Sequence, residues 1–334
     1  MAQRHDCDDI KSFLATIPDT AGLRGDRRYW PRFLYHITDV QNAARIIGDG
    51  LLLSRNRAVL EGRMSQDNAS PEVIERTRSW VHGAARMFFR PRTPTFFNNE
   101  GIRPNAVGER GSHCAVPIAF LFDSASVLCL NEATISEGGL ARHNVRTGSG
   151  IEFLRSLPFN LIFDDAAMRG DKSEAIFRRH AEVVVNDALP LEPHLRLVFS
   201  RSEAERQTLV SLTEQESPST TAAYRSRFRV NEKPTLFFKR WAHVESVTAS
   251  GDFFTVRFNP TVNPVDAGPF VIEMTAIDLD GGGSWTAHMA DRRTDRPAIF
   301  RIRGSSNRRL LVTIRMDGCV TYRHTFDPLS HVIV

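Results

Sequence analysis

At 334 residues, with 41% hydrophobic and 25% charged residues and a net charge of +4, the chain has the make-up of a globular protein with room for two cores. No apolar run is long enough to cross a bilayer, and the start Met-Ala-Gln-Arg-His-Asp-Cys-Asp-Asp lacks the apolar stretch of a signal peptide, which places the protein in the cytoplasm. Cys7, Cys114, Cys129 and Cys319 form no CxxC pair, so the sequence argues against a disulfide framework and a bound metal, and packed thiols are expected.

Residues 1–30 read as a short helical lead-in. A strand follows at Phe33–Ile37, with Thr38-Asp39 as the cap of a helix over Val40–Ile47. That helix has apolar residues at 40, 43, 44 and 47 and closes at Gly48 and Gly50. Leu51–Leu53 is a short strand. Residues 55–80 are polar and read as a loop with a helix from Pro71. Phe88–Phe89 and Thr95–Phe97 flank the turn Arg90-Pro91-Arg92-Thr93-Pro94. Ala115–Phe122 and Val127–Leu130 read as buried strands, and 131–175 as loop and helix. Ala181–Val185 and Leu195–Phe199 are strands, Glu203–Leu212 a helix, and the polar stretch 213–234 a long loop or linker.

From about residue 240 the texture changes. Short alternating strands at Phe253–Phe258, Phe270–Ala276, Ala298–Arg303 and Leu310–Arg315 are separated by turns such as Asp280-Gly281-Gly282-Gly283, the pattern of a small antiparallel sandwich. This part holds ten acids and ten arginines, so the positive excess lies in the first 240 residues. Its neutrality speaks against direct phosphate binding there. Trp285 in this part is either an exposed anchor or a core tryptophan.

The bases are almost all arginines, since lysine occurs only at 11, 172, 233 and 239. Guanidinium forks suit phosphates, though arginine-rich codon usage gives the same bias. Arg76, Arg78, Arg86, Arg90 and Arg92 fall among Trp80, Phe88 and Phe89, an interleaving that suits single-stranded nucleic acid or a dinucleotide. Glu182 stands where the basic end Arg-Arg-His meets Val183-Val184-Val185. Alternation puts Glu182 and Val184 on one strand face, Val183 and Val185 on the other. A buried acid there needs a partner or loses its charge. Taken alone, the segment fits an edge-strand acid in water better than a catalytic one.

Three stretches in order resemble the DarT family, toxin ADP-ribosyltransferases that modify bases in single-stranded DNA. They are Leu34-Tyr35-His36-Ile37-Thr38-Asp39, then Val81 to Pro94 with Met87-Phe88-Phe89-Arg90-Pro91-Arg92-Thr93-Pro94, then His180-Ala181-Glu182-Val183-Val184-Val185. The resemblance implies an α+β protein: an ADP-ribosyltransferase-like split β-sheet core with flanking helices over 31–238, followed by a small all-β sandwich-like domain over 241–334. It implies NAD as co-substrate, Glu182 and Arg78 as catalytic residues, and Tyr35, His36, Thr38, Arg76 and Phe89 along the NAD cleft. Arg76 is the reserve for Arg78, because the family's Ile-x-Arg-Arg reads Ile74-Glu75-Arg76-Thr77-Arg78 here. Arg86, where the family usually has proline, forms with Arg90 and Arg92 either a nucleic-acid groove or a solvated surface. The loop from Asn131 to Gly139, where base choice is set, matches the family poorly, so thymine is not carried over; guanine, or RNA in place of DNA, stays open.

The expected activity is transfer of ADP-ribose from NAD to a base in single-stranded DNA or RNA, by a toxin or anti-phage effector with a macrodomain antitoxin. A carboxylate at position 182 would stabilise positive charge developing on ribose and accept the proton of the attacking base. Two other readings compete: an NAD glycohydrolase or protein-acceptor transferase, and a non-catalytic module binding nucleic acid or a partner.

Overall fold

The structure, a computed structural model, describes residues 1–65, 67, 75, 77–104, 114–168, 170–261 and 263–328. The helix expected from Pro71 and the reserve arginine, Arg76, lie outside the described residues. The chain divides into two compact units, one of Met1–Ile37, Arg45–Asn98 and Ala119–Val198, the other of Thr38–Ala44, Asn99–Ile118 and Phe199–Val334. Each unit draws on separate stretches of chain, a division that a linear reading of composition does not give.

The first stretch of chain supplies β1 (Phe33–Asp39), β2 (Leu51–Leu53), β3 (Ala84–Phe88), β4 (Pro117–Asp123), β5 (Ala133–Ser136), β6 (Thr147–Gly148), β7 (Glu182–Asn186), β8 (Ala188–Pro190) and β9 (Leu195–Ser200). A sheet runs in the order β9–β4–β1–β3–β7–β5–β6, and β2 pairs separately with β8. Leu34, Met87, Phe120, Phe122, Val183 and Val185 are buried in its core. The helix after β1 spans Val40–Asp49, and the Asp39 carboxylate caps it by accepting from the Gln41 N–H at 3.0 Å. Gly50, at φ +66°, ends it in the left-handed conformation that glycine adopts without strain.

Four expectations change here. Val127–Leu130 is not a strand: helix Ser124–Leu128 runs into it, started by Asp123, whose carboxylate accepts from the Ser126 N–H at 2.8 Å. Four apolar residues carry no period that separates strand from helix, and the cap decides. The loop region 131–175 contains β5 and β6. Residues 1–30 are also more than a lead-in. Helix Cys7–Thr20 is fastened by a disulfide from Cys7 to Cys129, by Arg4 N–H to the Cys129 carbonyl at 2.8 Å, and by Ile151 N–H to the Asp6 carboxylate at 2.7 Å. The expectation of thiols throughout was therefore wrong for this pair. The partners lie 122 residues apart, so local spacing could not pair them. By the chain-entropy relation a loop of that length makes the crosslink worth about 5 kcal/mol through the unfolded chain.

In the second unit the region 213–234 is not a linker. Helix Glu203–Glu216 is followed by helix Pro218–Tyr224, with Ser217 as its cap and proline in its first turn, and then by β10 (Phe228–Val230). Arg201, Glu205 and Glu100 form a buried ion cluster, and the backbone N–H groups of Phe238 and Lys239 satisfy Glu100 at 2.6 and 2.7 Å. Beyond it lie β11 (Val244–Ser250), β12 (Phe253–Phe258), β13 (Phe270–Asp278), β14 (Ser284–Arg292), β15 (Ala298–Arg301), β16 (Leu310–Met316) and β17 (Cys319–Phe326). They make the sheets β11–β12–β15 and β14–β13–β16–β17. Phe254 of the first meets Phe326 of the second edge to face, 5.3 Å between ring centres, as the sandwich expectation requires. Trp285 is half-buried under the Arg308 guanidinium.

Candidate active site

Glu182 opens β7, which pairs on one side with β3 and on the other with β5. The strand is interior, so the edge-strand reading of this acid fails. Register sets Phe88 opposite Glu182 and Arg86 opposite Val184. Arg86 and Glu182 are therefore diagonal neighbours on one sheet face, within reach for long side chains. The guanidinium meets the carboxylate side-on, Nε to Oε2 at 2.7 Å and Nη2 to Oε1 at 3.1 Å. The Leu140 N–H adds a third donor to Oε1 at 3.0 Å. The Glu182 side chain has no exposed surface, whereas that of Arg86 is 29% exposed. Burying an unpaired carboxylate costs several kcal/mol, and these three donors offset that penalty. Burial works against the Arg86 charge, yet the carboxylate's attraction and hydrogen bonds raise its pKa above the ordinary value.

The strand backbone is tied to the preceding loop. The Ser136 hydroxyl accepts from the Glu182 N–H at 3.1 Å and donates to the Gly138 carbonyl at 2.8 Å. A Cβ on Gly138 would come within 2.4 Å of the Phe177 ring, and one on Gly139 within 3.0 Å of the His180 Cβ. The two glycines thus let the loop lie flat against the turn that precedes Glu182.

His36 lies on β1, which meets β3 with Tyr35 opposite Phe88. Its Nδ1 is 3.0 Å from the Arg86 carbonyl, which can only accept, so Nδ1 carries the proton. Burial lowers its pKa to about 4, with the Arg86 carbonyl working the other way. The ring is neutral near pH 7, and Nε2 has no hydrogen-bond partner among the described residues. Since the folded pKa lies below the ordinary 6.5, His36 contributes stability that is complete above pH 6.5 and lost as pH falls toward 4. Replacing His36 by asparagine should flatten the fall in unfolding free energy, read from denaturant titrations between pH 7 and 5, by about 1–2 kcal/mol. An unchanged pH dependence would mean that His36 titrates normally.

His180 is neutral too. The Thr95 N–H donates to its Nε2 at 3.2 Å, so Nδ1 holds the proton and donates to the Ile176 carbonyl at 2.7 Å. Burial lowers its pKa. The ring stands edge-on to Phe88 at 6.1 Å.

The structure thus gathers Glu182, Arg86 and, through the Arg86 carbonyl, His36. The other expected site residues lie elsewhere. Arg78 is exposed just before helix Ser79–His82. Arg90 does not belong to a nucleic-acid groove: it is 1% exposed, stacked on Trp30, and paired with Asp165 and the carbonyls of Ile162 and Asp164. Arg92 bonds the same Asp165 at 3.0 Å. Tyr35 is buried, its hydroxyl facing the Trp30 carbonyl, and burial pushes its pKa up. Phe89 packs edge-on against Phe159. Thr38 is buried and accepts from the Asn42 side chain at 3.3 Å. Sequence reading missed Ser136, Leu140 and the true partner of Arg86. The diagonal rule applied to alternating Arg86/Phe88 and Glu182/Val184 is the signal that could have found that partner. Among the described residues, no group of three or more His, Cys, Asp or Glu could hold a metal ion, and no helix is long and apolar enough to cross a membrane.

The family model described as "ssDNA thymidine ADP-ribosyltransferase, DarT" matches residues 35–238. Among solved structures, the chain is similar to the Thermus sp. 2.9 DarT in complex with NAD+, at 17% identity and TM-score 0.44, covering 56% of this chain and 90% of that one. It is similar to the same protein with ADP-ribosylated ssDNA, at 18% identity and TM-score 0.48, covering 62% and 96%. It is similar to Thermosipho africanus DarTG in complex with ADP-ribose, at 16% identity and TM-score 0.46, covering 65% and 53%. Among curated proteins no match was found.

Proposed function

Since the chain belongs to the DarT family and is an NAD-dependent ADP-ribosyltransferase of single-stranded DNA, we propose that Glu182 is its catalytic carboxylate and His36 a ribose-binding group. The observation that carries this reading is a fully buried carboxylate held by three donors on an interior strand. NAD supplies the ADP-ribosyl group, with nicotinamide as the leaving group. The chain's residues suit that substrate: an anion for the positive charge developing at ribose, and a neutral imidazole whose unoccupied Nε2 can accept from a hydroxyl. Glu182 stabilises the developing charge through its field.

Arg78, exposed and a few residues before β3, is assigned to the NAD phosphates, with Arg76 as the reserve. Arg92 is kept as a nucleic-acid contact. We assign catalysis to residues 31–238, leaving the β domain at 241–334 for recognition or docking. The biological role we assign is that of a cytoplasmic toxin or anti-phage effector, restrained by a macrodomain antitoxin.

Incubating the full chain with NAD and single-stranded oligonucleotides of each base, in DNA and RNA form, tests the reading by mass spectrometry. A gain of one ADP-ribose on DNA supports it and identifies the base, thymidine being the one that the family description names. Nicotinamide release with no mass gain on any oligonucleotide would turn the reading to a glycohydrolase or protein-acceptor enzyme.

A further inference from the structure

Arg86 occupies an unusual station. Its side chain closes over a carboxylate that has no surface of its own, its Nε and Nη2 both engage Glu182, and its carbonyl meets His36. One residue of β3 therefore fixes both the acid on β7 and the imidazole on β1. We propose that Arg86 is a positioning residue of the transfer reaction, holding the Glu182 carboxylate ionised and in one orientation, and not a reader of nucleic acid. The inference rests on Glu182 being the catalytic acid.

Geometry favours this over a phosphate contact. A side-on guanidinium–carboxylate pair commits both oxygens, and Leu140 N–H locks the rotation that remains. A carboxylate so held cannot turn away from its task, whereas one without the guanidinium would sit in apolar surroundings beside Val184 and Leu140, where a proton neutralises it readily. The other titratable groups nearby do not replace the missing charge. His180 and His36 are both neutral near pH 7, and Arg90 is spent on Asp165.

The test is steady-state transfer by the full chain from labelled NAD to a single-stranded oligonucleotide, across pH and salt, for Arg86→Gln and Arg86→Lys. Arg86→Gln should lower kcat about 10²-fold while the oligonucleotide KM and its salt slope stay unchanged, since misorientation of a reacting group has that order of effect. The acid limb of the pH–rate profile should move to higher pH, and added guanidinium ion should restore part of the rate. Arg86→Lys, which keeps a point charge and the stem, should fold and fall between the two. A raised oligonucleotide KM with kcat kept and a shallower salt slope would overturn the proposal in favour of a phosphate contact. Loss without guanidinium rescue, intermediate lysine activity or pH shift would reduce Arg86 to a structural role. Full activity in Arg86→Gln beside an inactive Glu182→Gln would sink this inference alone, whereas an active Glu182→Gln would sink the reading beneath it.

Discussion

Glu182→Gln is expected to lower ADP-ribose transfer by about 10²–10³-fold while leaving a cooperatively folded protein. The amide keeps the volume and can still accept from Leu140 N–H, so the interior of β7 stays filled. What it loses is the negative charge, the one property that stabilises positive charge at ribose. It also leaves Arg86 without its counter-ion. That guanidinium is 29% exposed and can turn partly to water, so the stability loss should fall below the roughly 3–5 kcal/mol typical of a broken buried pair. Circular dichroism would then show a lowered but single melting transition, and calorimetry would show NAD still bound. Transfer at the wild-type rate would remove Glu182 from the mechanism. Loss of the melting transition would show that the carboxylate is needed for folding, and the double variant with Arg86→Gln, in which two neutral amides face each other, would separate the two effects.

What the sequence shows of this protein depends on how local the determining interactions are. The helix from Val40 is readable because its apolar period, its Asp39 cap and its terminal Gly50 all lie within a dozen residues. β7 is readable because Val183, Val184 and Val185 prefer a pleated, packed surface. β5 and β6 are not, because Ala133–Ser136 and Thr147–Gly148 carry little preference of their own and become strands by pairing with β7 and with each other. The site follows the same rule. Glu182 stands out as an acid in an apolar run, but its partner is 96 residues away, and only the antiparallel register brings the two together. Arg90 and Arg92 look like surface bases in sequence, yet Asp165, more than 70 positions on, draws both in. The Cys7–Cys129 bridge is hidden for the same reason. Composition fixes which chemistry is available, and long-range pairing decides where it is used.

The second large effect is expected from a residue with no side chain. At Gly138 an added methyl would meet the Phe177 ring at 2.4 Å, closer than carbon atoms approach in folded proteins, so one of the two must move. Phe177 has little room. It is packed with Val81, Ala84, Leu140, Val145 and Val184 and sits under the guanidinium groups of Arg142 and Arg178 at 4.6 and 4.9 Å. The loop is the softer partner and should give way, taking with it the Gly138 carbonyl that accepts from Ser136 and the Leu140 N–H that donates to Glu182. Gly138→Ala should therefore cost about 1–3 kcal/mol in stability, as overpacking usually does, and lower transfer at least about 10-fold by freeing the carboxylate. Shrinking the obstacle tests the cause: Gly138→Ala combined with Phe177→Leu should recover part of both losses, a coupling that a double-mutant cycle measures directly. Strictly additive losses in the double variant would place the damage somewhere other than the Phe177 contact. A Gly138→Ala protein with full stability and full activity would show that the loop does not hold Glu182.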